Sequence, residues 1–486
     1  MRSPSALHVA LGSFTVAVLV AALGIGFTLW RDGWWPFTIQ VAPAAIPAPQ
    51  LDGDQAIRYS GVAQVQEDSS CSGWLIDTHS ADGPGYLVTN GHCTQSRNRP
   101  STEVGVDLPT NGLVTFGRGG RTAPYPVTAN RVAYSTMNGT DIAVIELDAT
   151  FGQLTNDGVR AYRPAALLPS GRLAVNVGVP VEGVPDSQVA PRIGQCVTGH
   201  QVGVVEFGWF FDDAQAVDCP GILGGSSGSP LFDRTDRVVG MINTTTVGAS
   251  PGGTCWLDKP CERTDDGIVP VPETSYAVSV AGLDSCFSGG RFALTENCPL
   301  PHQGVVVQTT VTALNAGGDD ISATVTAPTR TTLRTGVAPL TAEDSCAEEA
   351  TYASSVAAGP QPTTLTTTIP AEEGLYVWCI ADRTGDNPAR IVLERDLTPP
   401  VRAPRLSVDQ TDEGYRVMPV FSPPELSDFR IKTGPGATTD CDDEAGYQPF
   451  RRVPTFIPAA RLPAVFCYVG ADLAGNETPA FSRTFS

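Results

Sequence analysis

The chain has 486 residues, and its 50 Gly and 41 Pro exclude a coiled coil or long-helix protein. Hydrophobic residues at 41% can build packed cores, which excludes wholesale disorder, and the length allows roughly three domains. With 31 basic against 51 acidic residues the formal charge is −20, which excludes a surface built to neutralise phosphates, so no nucleic-acid partner is expected.

In chain order, residues 7–30 come first; they hold one histidine, His8, and no formal charge, with Arg2 before them and Arg31 and Asp32 behind. As a helix they span about 36 Å, enough for a ~30 Å hydrocarbon core. A cleaved signal has a shorter apolar run, of about 7–15 residues, with a small-residue site close behind. Here Trp30, Trp34 and Trp35 follow instead, as in an aromatic belt at a membrane surface. An uncleaved N-terminal transmembrane helix is therefore expected; secretion after a cut within Ala42–Ala45 is the alternative. Residues 41–50 (VAPAAIPAPQ) read as a semi-rigid tether, so 1–50 form anchor and tether.

From Leu51 to Cys298 short β-like runs alternate with turn residues, as in Gly73–Ile76, Tyr86–Thr89, Ile142–Leu147, Gln201–Phe207 and Arg237–Ile242. Tyr276 to Phe287 is a candidate for one short helix. The pattern is all-β, suited to barrels or sandwiches. After His302 the composition turns to Thr, Val and Ala, and a repeat appears. Asp344-Ser345-Cys346 and Tyr376 to Asp382 return as Thr439-Asp440-Cys441 and Val465 to Asp472, the equivalent cysteines lying 95 and 88 positions apart. That period fits two small β-sandwiches, at 303–398 and 399–486, with Leu397 to Pro400 as the hinge. Tyr376, Trp378, Phe466 and Tyr468 read as core positions. The copies resemble bacterial immunoglobulin-like or fibronectin type III-like modules, whose last strands carry an Ala-Asp-x-Ala-Gly-Asn pattern.

The twelve cysteines form no zinc-spaced cluster, and none precedes Cys71. Read in order they fall into neighbours: Cys71 with Cys93, Cys196 with Cys219, Cys255 with Cys261, Cys286 with Cys298, Cys346 with Cys379, and Cys441 with Cys467. An even count in a Gly/Pro-rich chain suggests structural disulfides and an oxidising, extracytoplasmic compartment, the alternative being inert buried thiols. No metal or cofactor is expected: the acid clusters Asp212-Asp213 and Asp440 to Glu444 do not match a calcium loop and read as solvated turns.

Three segments carry chemistry: Cys71 to Ile76 with Leu87 to Cys93, Thr140 to Leu147, and Gly224 to Leu231. A serine hydroxyl needs an adjacent base to become a nucleophile, and the base needs an orienting group. His92 precedes Cys93, whose bond to Cys71 would hold the imidazole turn still. Asp141 opens an apolar run, where its carboxylate can accept the histidine N–H and fix the tautomer. Ser227 lies between Gly225 and Gly228, so the N–H groups of Gly225 and Ser227 can converge on one oxygen, stabilising an oxyanion by about 3–4 kcal/mol per donor.

Together these segments resemble the chymotrypsin-like (trypsin-like) serine endopeptidases, over roughly residues 55 to 290 within a domain at 51–302, and the Gly-Ser-Ser-Gly-Ser-Pro form is similar to their bacterial branch. The resemblance implies a double antiparallel β-barrel with His92 as general base, Asp141 orienting it and Ser227 as nucleophile towards a protein or peptide substrate. Ser226 stands where animal members have Asp, so no zymogen-type N-terminal switch is expected. Gly221, at the base of the specificity pocket by the same resemblance, does not support a preference for Arg or Lys. Val239 to Thr244 lacks the histidine of glutamyl endopeptidases, leaving a small or apolar pocket as the default. Gly224 to Gly228 also fits an α/β-hydrolase elbow with Ser226 as nucleophile, but the histidine order does not. The other function class is a surface-tethered adhesion or binding protein with a silent peptidase-like domain, the C-terminal modules holding a cell-surface partner.

Overall fold

The computed structural model describes residues 48–486 apart from 68, 95–99, 118–123, 250–254, 265–266, 310, 317, 319, 342–344, 384–387, 402 and 423–424. The apolar segment 7–30 lies outside the described residues, and no helix among them is long and apolar enough to cross a membrane. Two all-β barrels come first. The strands β1 (Val62–Gln66), β2 (Ser70–Leu75), β3 (Pro84–Thr89), β4 (Val104–Pro109), β5 (Leu113–Phe116), β6 (Tyr125–Thr136) and β7 (Ile142–Thr150) form an antiparallel sheet. It closes in the ring β1-β2-β3-β7-β6-β5, with β4 added along β6.

The second barrel uses β8 (Leu173–Gly178), β9 (Arg192–Glu206), β10 (Trp209–Asp218), β11 (Pro230–Phe232) and β12 (Val238–Thr245). A hairpin of β13 (Cys261–Thr264) and β14 (Gly267–Pro270) extends from β9, and β15 (Ser275–Val278) completes the ring between β10 and β12. Closure removes the exposed strand edges that would otherwise invite pairing with other chains.

The two-residue period of a strand explains why so many strands are buried on both faces. Leu87, Ile145 and Leu147 point into the first barrel with Val65, Leu75 and Phe116. Their neighbours Tyr86, Val88 and Val144 point outward, with Trp74, against Val204, Phe211, Phe232 and Met241 of the second barrel. Each such side chain contributes about 1.5–3 kcal/mol on burial, so the seam between the barrels is as much a core as their interiors.

Two local expectations change. Tyr276 to Phe287 is not a helix: Tyr276 pairs with Ala216 on one side and Thr244 on the other, so the sheet claims its backbone. Only Leu283–Cys286 turns, as a 3-10 helix after Gly282 at φ 73°. The tether gives way before Gln50, because Ile193 N–H donates to Pro49 O (2.9 Å) and Arg192 Nη1 to Ala48 O (2.8 Å).

All twelve cysteines are in disulfides, which sets aside the alternative of buried thiols. Cys71 is bonded to Cys93 in the first barrel. In the second, Cys196 of β9 is bonded to Cys219, just past β10, and Cys255 to Cys261. Cys286 is bonded to Cys298 at the end of that domain, Cys346 to Cys379 in the first of the two following modules, and Cys441 to Cys467 in the second. Each partner is the nearest cysteine along the chain, as their order suggests.

Beyond residue 302 come two sandwiches. In the first, a three-stranded and a five-stranded sheet enclose Trp378, whose Nε1–H donates to Thr335 Oγ1 (2.6 Å). In the second, three- and four-stranded sheets close on Phe466, Tyr468 and Phe485. The Asp-x-Ala-Gly-Asn segment of the second copy is a turn: Asp472 accepts both the backbone N–H and the Nδ2 of Asn476. Asn476 Nδ2 also donates to Asp396 O, tying the second sandwich to the end of the first. The first sandwich is docked on the second barrel. Leu340, Val377 and Val392 share an apolar cluster with Val205 and Phe210, and Asp212 pairs with Arg390 of the sandwich and with Arg263.

Candidate active site

The pairing of β3 with β7 sets Thr89 opposite Ala143, so the residues just after β3 and just before β7 meet at one end of the first barrel. His92 sits there in the 3-10 turn Gly91–Cys93, and the bond from Cys93 to Cys71 ties that turn to β2. Asp141 is fully buried beside it. Its Oδ2 is 2.6 Å from His92 Nδ1, its Oδ1 accepts the His92 backbone N–H at 2.9 Å, and its own carbonyl accepts Asn90 Nδ2 at 2.8 Å. A carboxylate on Nδ1 holds the proton there and leaves Nε2 as the acceptor. Burial opposes protonation of His92, but the charge and hydrogen bond of Asp141 outweigh it, with smaller pulls from Glu206 and Asp258. The imidazole pKa is raised above its ordinary value.

The serine turn is built by short-range bonds. Ser226 N–H donates to Leu223 O (2.8 Å), Ser229 N–H to Ser226 O (2.9 Å) and Gly228 N–H to Ile242 O (2.8 Å). Gly225 and Gly228 take φ of 97° and 83°, where a Cβ is strained, and a Cβ on Gly228 would also collide with Ser72 O and Thr89 Oγ1. Among the described residues no acceptor is bonded to the N–H of Gly225 or of Ser227. The Ser227 hydroxyl donates to Asn243 O at 3.3 Å, so in this conformer it is turned to that carbonyl. Ser226, the alternative nucleophile, is buried, and its Oγ accepts Leu223 N–H.

His92, Asp141, Ser227 and Gly225 all line one cavity of about 610 Å³ between the barrels. Gly221 does not line it, since Ala48 packs against that glycine. Two other histidines meet acids away from this cavity, His200 with Glu262 (2.7 Å) and His79 with Asp77 (2.9 Å). Of the acid clusters, Asp212 is held by two arginines, and the Asp440 turn is bound through its carbonyls by Lys432 Nζ. Cys71 and Cys93 lie near His92, but as a disulfide they offer no thiolate to a metal. Cys219, Cys379 and Cys467 are buried and do not line the cavity, so their bonds to Cys196, Cys346 and Cys441 brace the second barrel and the sandwiches instead.

Two residues of the site escaped the sequence reading. Ser72, fully buried, donates from Oγ to Gly225 O (2.7 Å) and accepts Val179 N–H (2.8 Å), while its backbone N–H donates to Ser227 O (2.8 Å). It thus links the first barrel to the serine turn; a serine beside a cysteine gives no such signal in sequence. Glu206 ends β9 on the cavity wall, buried, and burial pushes its carboxyl up to about 7. A lone acid closing an apolar run was its only mark.

Residues 71–241 match the family model described as trypsin-like peptidase domain. No curated protein matches the chain. Among solved structures it is similar to the MamO protease domain of Magnetospirillum magneticum, at 15% identity and a TM-score of 0.30, covering 46% of this chain and 93% of that one. It is also similar to a Glu endopeptidase, at 13% identity and a TM-score of 0.31, covering 50% and 96%. A scabies mite inactivated protease paralogue aligns at 13% identity and a TM-score of 0.32, covering 48% and 92%. The segment 71–241, which runs through both barrels, is thus similar to a trypsin-like peptidase domain.

Proposed function

We propose that the chain is an extracytoplasmic serine endopeptidase held at a membrane by residues 7–30. The observation that carries this reading is the Asp141–His92 pair in one cavity with Ser227 and the N–H groups of Gly225 and Ser227. His92 Nε2 takes the Ser227 proton as Oγ bonds to the scissile carbonyl carbon, and the oxyanion is held by the two N–H groups. The imidazolium returns that proton to the leaving amine as the C–N bond breaks, and water then releases the acyl group by the same path in reverse. The six disulfides are consistent with an oxidising compartment. The two sandwiches, read as immunoglobulin-like modules, hold the peptidase near a surface partner.

One observation favours a second reading, a silent peptidase-like domain in a surface adhesion protein: the Ser227 hydroxyl is turned to Asn243 O. A fluorophosphonate probe separates the two. An active enzyme is labelled, and Ser227→Ala abolishes the label; labelling that persists in that variant refutes Ser227 as nucleophile. A protein that is neither labelled nor cleaves any member of a diverse peptide library is the silent form.

A further inference from the structure

On the cavity wall, the tip of the β9–β10 hairpin is clamped to the loop closed by Cys255–Cys261. Phe207, at φ 59°, donates its N–H to Cys255 O (2.7 Å), and Cys261 pairs with Val205. The clamp fixes three side chains. Glu206 turns its carboxylate inward, where Oε1 accepts Asp258 N–H at 2.7 Å. Trp209 and Trp256 line the same cavity as Glu206, and Phe207 packs edge-on against both at ring separations of 5.3 and 4.6 Å.

A carboxylate only 5% exposed is expensive to ionise unless a cation meets it. Among the described residues the groups that meet the Glu206 carboxylate are the Asp258 N–H, the Thr244 side chain and, through its charge, His92, and no Lys or Arg is bonded to it. A cavity lined by a buried acid and two tryptophans offers an ammonium or guanidinium a counter-charge and its alkyl stem an apolar surface.

We infer that this recess is a side-chain subsite for a Lys or Arg of the substrate, with Glu206 as the specificity-determining carboxylate. The inference rests on the peptidase reading for the word substrate, but the recess would bind a cation whether or not Ser227 turns over. It assigns the basic preference to Glu206, whereas Gly221 offers none.

The other charged groups on the cavity wall are His92, Asp141, Glu182, Asp258 and Lys259. Acids outnumber bases there, so the field also favours a cation. The burial that raises the Glu206 carboxyl to about 7 adds a pH signature. Below that value the acid is neutral, which weakens cation binding, and protonation of His92, whose pKa is raised above its ordinary value, acts in the same sense.

The test uses the full chain with n-butylguanidinium as probe and n-butylurea as its neutral control, followed by tryptophan fluorescence and calorimetry. The expected result is saturable butylguanidinium binding at pH 8, at least tenfold tighter than butylurea and at least tenfold weaker at pH 5.5. Glu206→Gln is expected to abolish the preference and to lower the ratio of basic to neutral peptides cleaved by tenfold or more. Equal affinity for the two probes overturns the inference, as does an unchanged preference in a folded Glu206→Gln protein. If that variant does not fold, the probe ratio in the parent decides alone. Fluorophosphonate labelling in parallel keeps the outcomes apart. A labelled protein without cation preference refutes the subsite only, whereas an unlabelled protein that binds butylguanidinium refutes the peptidase reading only.

Discussion

Replacing Ser72 by Ala tests whether the first barrel braces the serine turn. The hydroxyl is fully buried, donates to Gly225 O at 2.7 Å and accepts Val179 N–H at 2.8 Å. Its removal leaves one carbonyl and one N–H without a partner where water does not reach, at about 1–3 kcal/mol each, so the loss should be roughly 2–6 kcal/mol. Set against a typical stability of about 5–15 kcal/mol, the variant still folds over most of that range. The catalytic consequence is sharper. Gly225 O is the anchor of the residue whose N–H is proposed to hold the oxyanion, and deleting such a donor outright costs about 10²–10³ in rate. A loosened donor should therefore cost about tenfold in kcat and little in KM. Denaturant unfolding with the disulfides intact, and the rate of fluorophosphonate acylation, measure the two effects. A Ser72→Ala protein with stability within about 0.5 kcal/mol of the parent and acylation within a factor of two would refute the bracing role.

Two further outcomes follow from charges in the site and at the module interface. Because Asp141 raises the His92 pKa and the base must be neutral, kcat/KM should climb with pH through a limb above the ordinary histidine value of 6.5. Asp141→Asn should move that limb downward, since burial is then opposed only by the smaller pulls of Glu206 and Asp258, and lower kcat about 10⁴-fold by favouring the wrong tautomer; a pH profile with an unmoved limb would contradict this. Asp212→Ala should destabilise by roughly 2 kcal/mol, between exposed and buried ion pairs, because Asp212 is one-third exposed while Arg263 and Arg390 are nearly buried. Thermal unfolding of that variant beside Asp233→Ala, which removes a local turn pair instead, checks the assignment.

Much of the site was legible because each part of it is local in sequence. His92 beside Cys93, Asp141 at the head of an apolar run and Ser227 between two glycines each need only a few neighbouring residues to be recognised. The cysteine pairs were legible for the same reason: each closes on its nearest neighbour along the chain, with separations between 6 residues for Cys255–Cys261 and 33 for Cys346–Cys379. Tyr276 to Phe287 misled because an apolar run of that length fits a helix turn or a buried strand equally. Only β10 and β12 on its two sides decide for the strand.

The amino-acid sequence by itself determined the all-β class and the three segments that carry the candidate chemistry, and its order of cysteines suggested the pairs that the structure then joined, since these depend on residue type and short spacing. Tertiary structure alone decided what stands between them. Ser72 reaches Gly225 across 153 positions, Ala48 covers Gly221, and Asp212 meets Arg390 across 178. Glu206 is met by Asp258 N–H, 52 positions along the chain, where the loop closed by Cys255–Cys261 folds against the β9–β10 tip. Such contacts come from barrel closure and module docking, which no local pattern encodes.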